Sequence, residues 1–135
     1  MSGEKDLAVL IQNMEPVLNR GEYVFCTVET LGGIQDIDRI LFFFRETEAV
    51  TIVLEKNIAD EWSLDYSYIS SWITLNIHSS LEAVGLTAAF ANALRKENIS
   101  CNVVAAYFHD HIFVAVKDAE KAMDALDALR SAQEL

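Results

Sequence analysis

The second half of the chain changes its hydrophobic period near residue 78. In residues 72–78, WITLNIH, every second side chain is isoleucine or leucine, which is typical of a half-buried strand. The following stretch repeats apolar residues every three or four positions through residues 84–94, and this spacing predicts a helix. Ser79 and Glu82 stand three residues apart, as in a capping box, so we expect this helix to begin beside them.

Two more strands and a second helix follow the same rules. Residues 99–107, ISCNVVAAY, are rich in β-branched and small apolar residues, and residues 111–116, HIFVAV, alternate again. Residues 108–110 form the turn between them. Asp118 can cap a last helix with an apolar stripe over residues 119–129. The order strand, helix, strand, strand, helix is one strand short of the ferredoxin-like βαββαβ unit.

The first half of the chain shows a related order of elements. A helical pattern over residues 6–15 is stopped by Pro16, and a short helix is predicted over residues 57–62. Strands are predicted over residues 22–30, 40–45 and 49–55. We therefore predict an α+β protein made of two degenerate, ferredoxin-like βαββαβ halves, residues 1–68 and 69–135, packed together because no linker separates them. In this interpretation the first half lacks its opening strand and the second its closing strand.

The strand over residues 99–107 is expected at a margin of the sheet. It carries no Lys or Pro that guards its edge against another chain. We predict that residues 23–28 of the first half pair with it. The opposite face of the sheet then exposes apolar side chains, which suggests a homodimer or a larger homo-oligomer. These side chains are Trp72, Val104, Ala106 and Phe113.

Composition and charge exclude several classes of function. Hydrophobic residues make up 52% of the 135 residues, yet no segment approaches the roughly 18 uninterrupted apolar residues of a membrane span. The net charge of −11 argues against a nucleic-acid partner, since basic patches usually carry such binding. The N-terminus lacks the features of a signal peptide, so a cytoplasmic location is expected. Cys26 and Cys101 are expected to be reduced core residues.

All three histidines lie in the second half, and the predicted topology brings them to one end of it. In a ferredoxin-like sheet the third strand lies antiparallel beside the first, so His78 approaches His111. We call residues 78–86 and 109–111, which meet at this end, the histidine rim. The other polar side chains of the histidine rim are Ser79, Ser80, Glu82, His109 and Asp110.

The residues of the histidine rim allow several interpretations. His109 and His111 point to one face if the strand extends through them, and with His78 they form a candidate metal site. Alternatively, the polar residues only satisfy backbone groups at a hairpin and a helix cap. Catalysis is a further alternative, because Asp110 and His111 can shuttle protons, but neither cysteine matches a nucleophile motif. No cofactor is predicted, since the Gly-Gly pair at residues 32–33 lacks the spacing and the Lys of a phosphate-binding loop.

Three segments of the second half carry a resemblance to a known family. They are HSSLEAVGLTAA from His78, ISCNVVAAY from Ile99 and HDHIFV from His109. This half resembles an ACT domain, the small regulatory module of enzymes of amino-acid metabolism. More narrowly, it resembles the ACT half of small stand-alone bacterial proteins that pair it with an uncharacterised N-terminal half. The first half of this chain is similar to that N-terminal half at RETEAVTIVLEKNIADEW, which begins at Arg45.

The resemblance implies a function as well as a fold. In the family, a loop and a Pro-Gly pair open the first helix, and effector amino acids bind beside that loop. Gly85 falls at the glycine and Val84 replaces the proline. The resemblance thus implies two ACT-like halves and a regulatory protein, not an enzyme, whose small-molecule partner is an amino acid or a related carboxylate. The predicted ligand-binding residues are His78, Ser79, Ser80, Glu82, Val84, Gly85, Leu86, Asn102, His109, Asp110 and His111.

Overall fold

The computed structural model describes residues 6–77 and 84–132, which form four α-helices and seven strands. The helices are α1 (Leu7–Asn13), α2 (Lys56–Glu61), α3 (Leu86–Lys96) and α4 (Ala119–Ser131). The strands are β1 (Glu15–Leu18), β2 (Tyr23–Val28), β3 (Ile40–Arg45), β4 (Val50–Glu55), β5 (Ile69–Asn76), β6 (Asn102–Ala105) and β7 (Asp110–Ala115). None of these described helices is long and apolar enough to cross a membrane.

The chain divides into two compact units. The first unit consists of residues 1–20 and 71–135, and the second unit consists of residues 21–70. The N-terminal segment therefore belongs to the same unit as the second half of the sequence. The predicted division between residues 68 and 69 concerns the halves of the sequence, and it stays a prediction.

In the first unit, β1 stands in the place of a closing strand. It pairs antiparallel with β5, with Glu15 opposite Asn76 and Leu18 opposite Ile73. The strand order continues from β5 to β7 and β6, and the last two form an antiparallel hairpin. The strand that we expected the second half to lack is therefore supplied by the N-terminal segment.

Three helices, α1, α3 and α4, pack on the core of this unit. Alternation places Ile73 and Leu75 of β5 and Ile112 and Val114 of β7 on the core face, where all four side chains are fully buried. They pack with Leu10, Ile11, Met14, Leu86, Phe90, Leu94, Ala122 and Leu126. Burying each large apolar side chain stabilises the fold by about 1.5–3 kcal/mol, so this cluster is the main source of the unit's stability.

Two predictions about the first unit are wrong. Phe113 is 1% exposed instead of lying open on the sheet, while Trp72 and Val104 are half-buried and Ala106 is exposed. The expected pairing of residues 23–28 with β6 is also wrong. β2 pairs with β4 along its whole length and with the start of β5, whereas β6 pairs with β7.

The second unit has the ferredoxin-like strand order without the first helix. Its strands follow the order β3–β4–β2, and the first two residues of β5 extend this order beside β2. Two short 3-10 turns, Leu31–Gly33 and Ile37–Arg39, stand where the first helix of a βαββαβ unit belongs. The first half therefore lacks a helix, and not its opening strand, because β2 takes the opening position. The predicted α+β architecture of two ferredoxin-like halves is otherwise confirmed.

Candidate functional site

His111 is held by the side chains of β5 that point away from the core. Its Nδ1 atom accepts a hydrogen bond from the indole N–H of Trp72 at 3.0 Å, and the Thr74 hydroxyl oxygen lies 3.2 Å from the same atom. The alternation of β5 explains both contacts, because Trp72 and Thr74 flank the buried Ile73 and face the other side. The indole nitrogen is only a donor, so the neutral His111 ring carries its proton on Nε2.

Asn19, which follows β1, fixes both of these β5 residues. Its side-chain amide donates to the Trp72 carbonyl at 3.2 Å and to the Thr74 hydroxyl oxygen at 3.0 Å. Its backbone N–H donates to the same carbonyl at 2.9 Å. Sequence reasoning missed Asn19, Trp72 and Thr74 as partners of the histidine rim. The alternation of WITLN already placed the last two on one face, but nothing local to Asn19 indicated its contact with β5.

The surroundings of His111 favour its neutral form. Burial lowers the pKa of His111 below its usual range, and the nearby His109 lowers this pKa further. The centroids of the two rings are 6.4 Å apart. A proton on Nδ1 of His111 would face the indole N–H of Trp72, which needs an acceptor there. The lowered pKa and the hydrogen bond from Trp72 therefore both favour the neutral form of His111.

His109 links the β6–β7 hairpin to the end of β5. Its Nδ1 atom lies 3.2 Å from the carbonyl oxygen of Ile77, which can accept a hydrogen bond from the ring. Ile77 is the last described residue before residues 78–83. The hairpin therefore stands beside the end of β5, at the place that the topology predicted. Four predicted site residues, His78, Ser79, Ser80 and Glu82, lie outside the described residues.

Asp110 begins β7 next to His109 and is half-buried. Burial raises the pKa of its carboxyl group, and the charge that His109 can carry lowers this pKa in part. The ionised carboxylate is thus less well solvated than a carboxylate on the open surface. A cationic group bound beside Asp110 offsets that loss of solvation.

Gly85 has a structural reason to be glycine. It is the N-cap of α3 and has a φ of +93°, in the left-handed region that other residues rarely adopt. A Cβ atom at this position would also lie 3.1 Å from Cδ2 of Leu7 in α1. Within the described residues α3 begins at Leu86, so Gly85 caps the helix and does not lie inside it.

The remaining predicted residues take different positions. Val84 is 83% exposed, whereas Leu86 is buried in the hydrophobic core. Asn102 is exposed at the start of β6, and its side-chain amide lies 3.5 Å from a β7 carbonyl oxygen. β6 runs from Asn102 to the hairpin over roughly 10 Å, so Asn102 is distant from Asp110. The structure brings together the three hairpin residues, whereas the Leu86 side chain belongs to the core and Asn102 lies at the other end of β6.

The described residues do not form a metal site. Among residues 6–77 and 84–132, no group of three or more His, Cys, Asp or Glu side chains is arranged to hold a metal ion. The Nδ1 atoms of His109 and His111 are directed at protein partners, the Ile77 carbonyl and the Trp72 indole. The metal interpretation also needs His78, which lies outside the described residues.

Two protein-family models match the chain, and both describe an ACT domain. One matches residues 2–71 and the other matches residues 67–128. No curated protein sequence matches the chain.

Several solved structures are similar to the chain. A Vibrio cholerae protein of unknown function, described as a possible transport protein, is 46% identical with a TM-score of 0.84, over 93% of this chain and 97% of that one. An Agrobacterium tumefaciens protein is 17% identical with a TM-score of 0.70, over 87% and 89% of the two chains. The ligand-free regulatory subunit of aspartate kinase from Thermus thermophilus is 8% identical with a TM-score of 0.62, over 85% and 97%. The last two similarities show the fold alone.

Proposed function

The chain belongs to the ACT domain family, and from this membership we propose that it is a regulatory protein that binds an amino acid or a related small carboxylate at the histidine rim. ACT domains are regulatory rather than catalytic, which supports a ligand-binding role without turnover. The structural similarity to a regulatory subunit of aspartate kinase concerns the fold, and it agrees with this role.

The observation that carries the proposal is the contact between His109 and Ile77. The 3.2 Å approach of the ring to the Ile77 carbonyl brings the β6–β7 hairpin to the end of β5. An imidazole N–H and a half-buried carboxylate, that of Asp110, then stand on neighbouring residues. A ligand with both a carboxylate and an ammonium group has partners of both kinds here, because the Nε2–H of His111 can donate to the first and Asp110 can accept from the second.

The start of α3 adds a further group of donors. Its first N–H groups have no partner within the helix, and the helix dipole favours an anion at this end. Gly85 caps the helix without a side chain, and Val84 before it is 83% exposed. The ligand carboxylate is therefore proposed to bind between this helix end and the hairpin histidines.

The first test is a thermal-shift screen with the twenty amino acids, related carboxylates and divalent metal ions. A ligand that binds only the folded chain stabilises it by about 2.7 kcal/mol at a hundredfold excess over its Kd, which is easily detected. We expect an amino acid or a carboxylate to raise the melting temperature. A metal ion as the only hit would favour the metal interpretation of the histidine rim instead.

The second test locates the site by calorimetry with the ligand that the screen finds. His111→Ala and Asp110→Asn should each weaken binding at least tenfold, about 1.4 kcal/mol, because the first removes a hydrogen-bond donor and the second removes a charge. Asn102→Ala, at the other end of β6, is the matched control and should bind normally. Circular dichroism checks the fold of each variant. Normal affinity in both hairpin variants would show that the site lies elsewhere.

We also propose that the chain acts in the cytoplasm as a homodimer or larger homo-oligomer, without a nucleic-acid or membrane partner. The net charge of −11 disfavours binding to a phosphate backbone. In the first unit β6 is the last strand in the order, and the adjoining hairpin carries Tyr107 and Phe108 at 60% and 61% exposure. Adjacent exposed aromatic rings on a strand edge favour contact with another copy of the chain.

A further inference from the structure

A pocket of about 570 Å³ lies within the second unit, apart from the histidine rim. It opens between the C-terminal end of α2 and the loop of 3-10 turns that replaces the first helix. Its volume is within the range of small-molecule sites. The lining residues that matter for its chemistry are Glu29, Thr30, Gly33, Glu61, Trp62 and Leu64.

The architecture of the second unit accounts for this space. A βαββαβ unit has two helices packed on its sheet, whereas residues 21–70 contain α2 and two short 3-10 turns. Such turns bring fewer side chains to the sheet than a helix of three turns. Gly33 illustrates the result, because a Cβ atom built on it would meet no heavy atom within 4 Å.

The lining of the pocket combines an apolar wall with two carboxylates. Trp62 and Leu64 supply apolar surface, and Glu29 and Glu61 supply the charges. Among the residues that line the pocket there is no Lys, Arg or His. Arg39, just outside the lining, donates to both oxygens of Glu61 at 2.7 and 3.2 Å, and this lowers the pKa of Glu61, so the group stays ionised.

The ring of Trp62 already contacts one cation of the chain itself. Its ring already has the Arg39 guanidinium 5.7 Å from its centroid, within the distance of a cation–π contact. The net charge of −11 adds a general attraction for positive ligands. Glu61 is already paired with Arg39, so Glu29 is the carboxylate of the lining with which a bound cation can pair.

We propose that this pocket binds a small organic ammonium ion that has an apolar body and no carboxylate group. The ammonium group pairs with Glu29, and the apolar body packs on Trp62 and Leu64 in the space beside Gly33. This ligand class differs from the one proposed for the histidine rim, and the two sites share no residue. The second unit is then a ligand-binding unit in its own right.

The test compares two probes of similar shape and opposite charge by calorimetry on the full chain. Phenethylammonium should bind, and 3-phenylpropanoate should give no heat at the same concentration. Glu29→Gln should weaken phenethylammonium binding about two- to fivefold, the size expected for one exposed charge pair. Equal binding of the two probes, or no binding of phenethylammonium at millimolar concentration, would overturn the proposal.

A pair of glycine variants tests whether the probe occupies this pocket. Gly33→Leu places a side chain in the open space and should weaken phenethylammonium binding at least tenfold. Gly32→Leu is the matched control, because Gly32 does not line the pocket and its Cβ would meet only Thr30 Oγ1, at 3.5 Å. Full affinity in a folded Gly33→Leu chain would also refute the proposal. If that variant does not fold, the comparison of Glu29→Gln and the two probes decides.

Discussion

Replacing His111 by Asn should remove part of the acid sensitivity of folding. In the folded chain, Nδ1 of His111 accepts the indole N–H of Trp72, and burial lowers the pKa of the imidazole. The unfolded chain has no such constraint, so it binds a proton first as the pH falls. The contribution of His111 to stability is therefore present above about pH 6.5, the ordinary imidazole pKa, and is lost as the pH falls below it. Asn presents an acceptor near the Nδ1 position but does not titrate.

The hydrogen bond from Trp72 to His111 sets the size of the expected change in stability. A donor that loses its only buried partner costs about 1–3 kcal/mol. Trp72 and His111 are both half-buried, so solvent replaces part of the lost interaction, and we expect the lower end, about 1 kcal/mol. This corresponds to about a fivefold change in the ratio of folded to unfolded chains.

Urea unfolding of the wild type and His111→Asn at about pH 7.5 and about pH 5.5 measures this difference. The comparison of the two chains at each pH isolates the contribution of residue 111, because the rest of the sequence is the same. A second readout is the emission of Trp72 in a Trp62→Phe background, which should change with pH only where His111 is present. An equal loss of stability in both chains would show that the His111–Trp72 hydrogen bond does not govern the acid response.

Two further predictions concern the rest of the first unit and its assembly. Gly85→Ala should destabilise the chain by about 1–2 kcal/mol in urea unfolding, because of its φ of +93° and the nearby Leu7 side chain, whereas Gly33→Ala, with a free Cβ position, should be within about 0.5 kcal/mol of the wild type. Equal stability of the two variants would contradict the strain at Gly85. Light scattering at micromolar concentration should show at least a dimer, and Phe108→Asp should lower the mass; a wild-type monomer would refute the proposed homo-oligomer.

The histidine rim shows how far a sequence pattern can predict which residues lie close together. The alternation in residues 72–78 and 111–116 identified two neighbouring strands, and this neighbourhood was enough to place His109 beside the end of β5. The same patterns do not predict how deeply each side chain is buried. Alternation distinguishes the two faces of a strand, but it does not show what covers each face. For this reason the burial of Phe113, which lies on the face of β7 opposite Ile112, was not predicted. The partners of His111 were not predicted either.

Gly85 and the 3-10 turns show what local patterns miss. Apolar spacing indicated a helix through residue 85, but a glycine in the left-handed region and the approach of Leu7 set its described start at Leu86. The missing first helix of the second unit was also not predicted. Residues 31–38, LGGIQDID, contain no helical repeat, and the predicted order of elements already counts the N-terminal helix as the first helix of this half.

The position of β1 explains why the first half was wrongly predicted to lack its opening strand. A closing strand is usually expected after the helix it follows, yet here the N-terminal segment supplies it, and the chain returns to the same unit at residue 71. The N-terminal segment also contacts the residues around the histidine rim. Leu7 of α1 lies close to Gly85, and Asn19, which follows β1, donates hydrogen bonds to Trp72 and Thr74. Residues 6–20 therefore help to position His111. If the proposed ligand binds at the histidine rim, it contacts a unit that contains both the N-terminal segment and the second half of the chain.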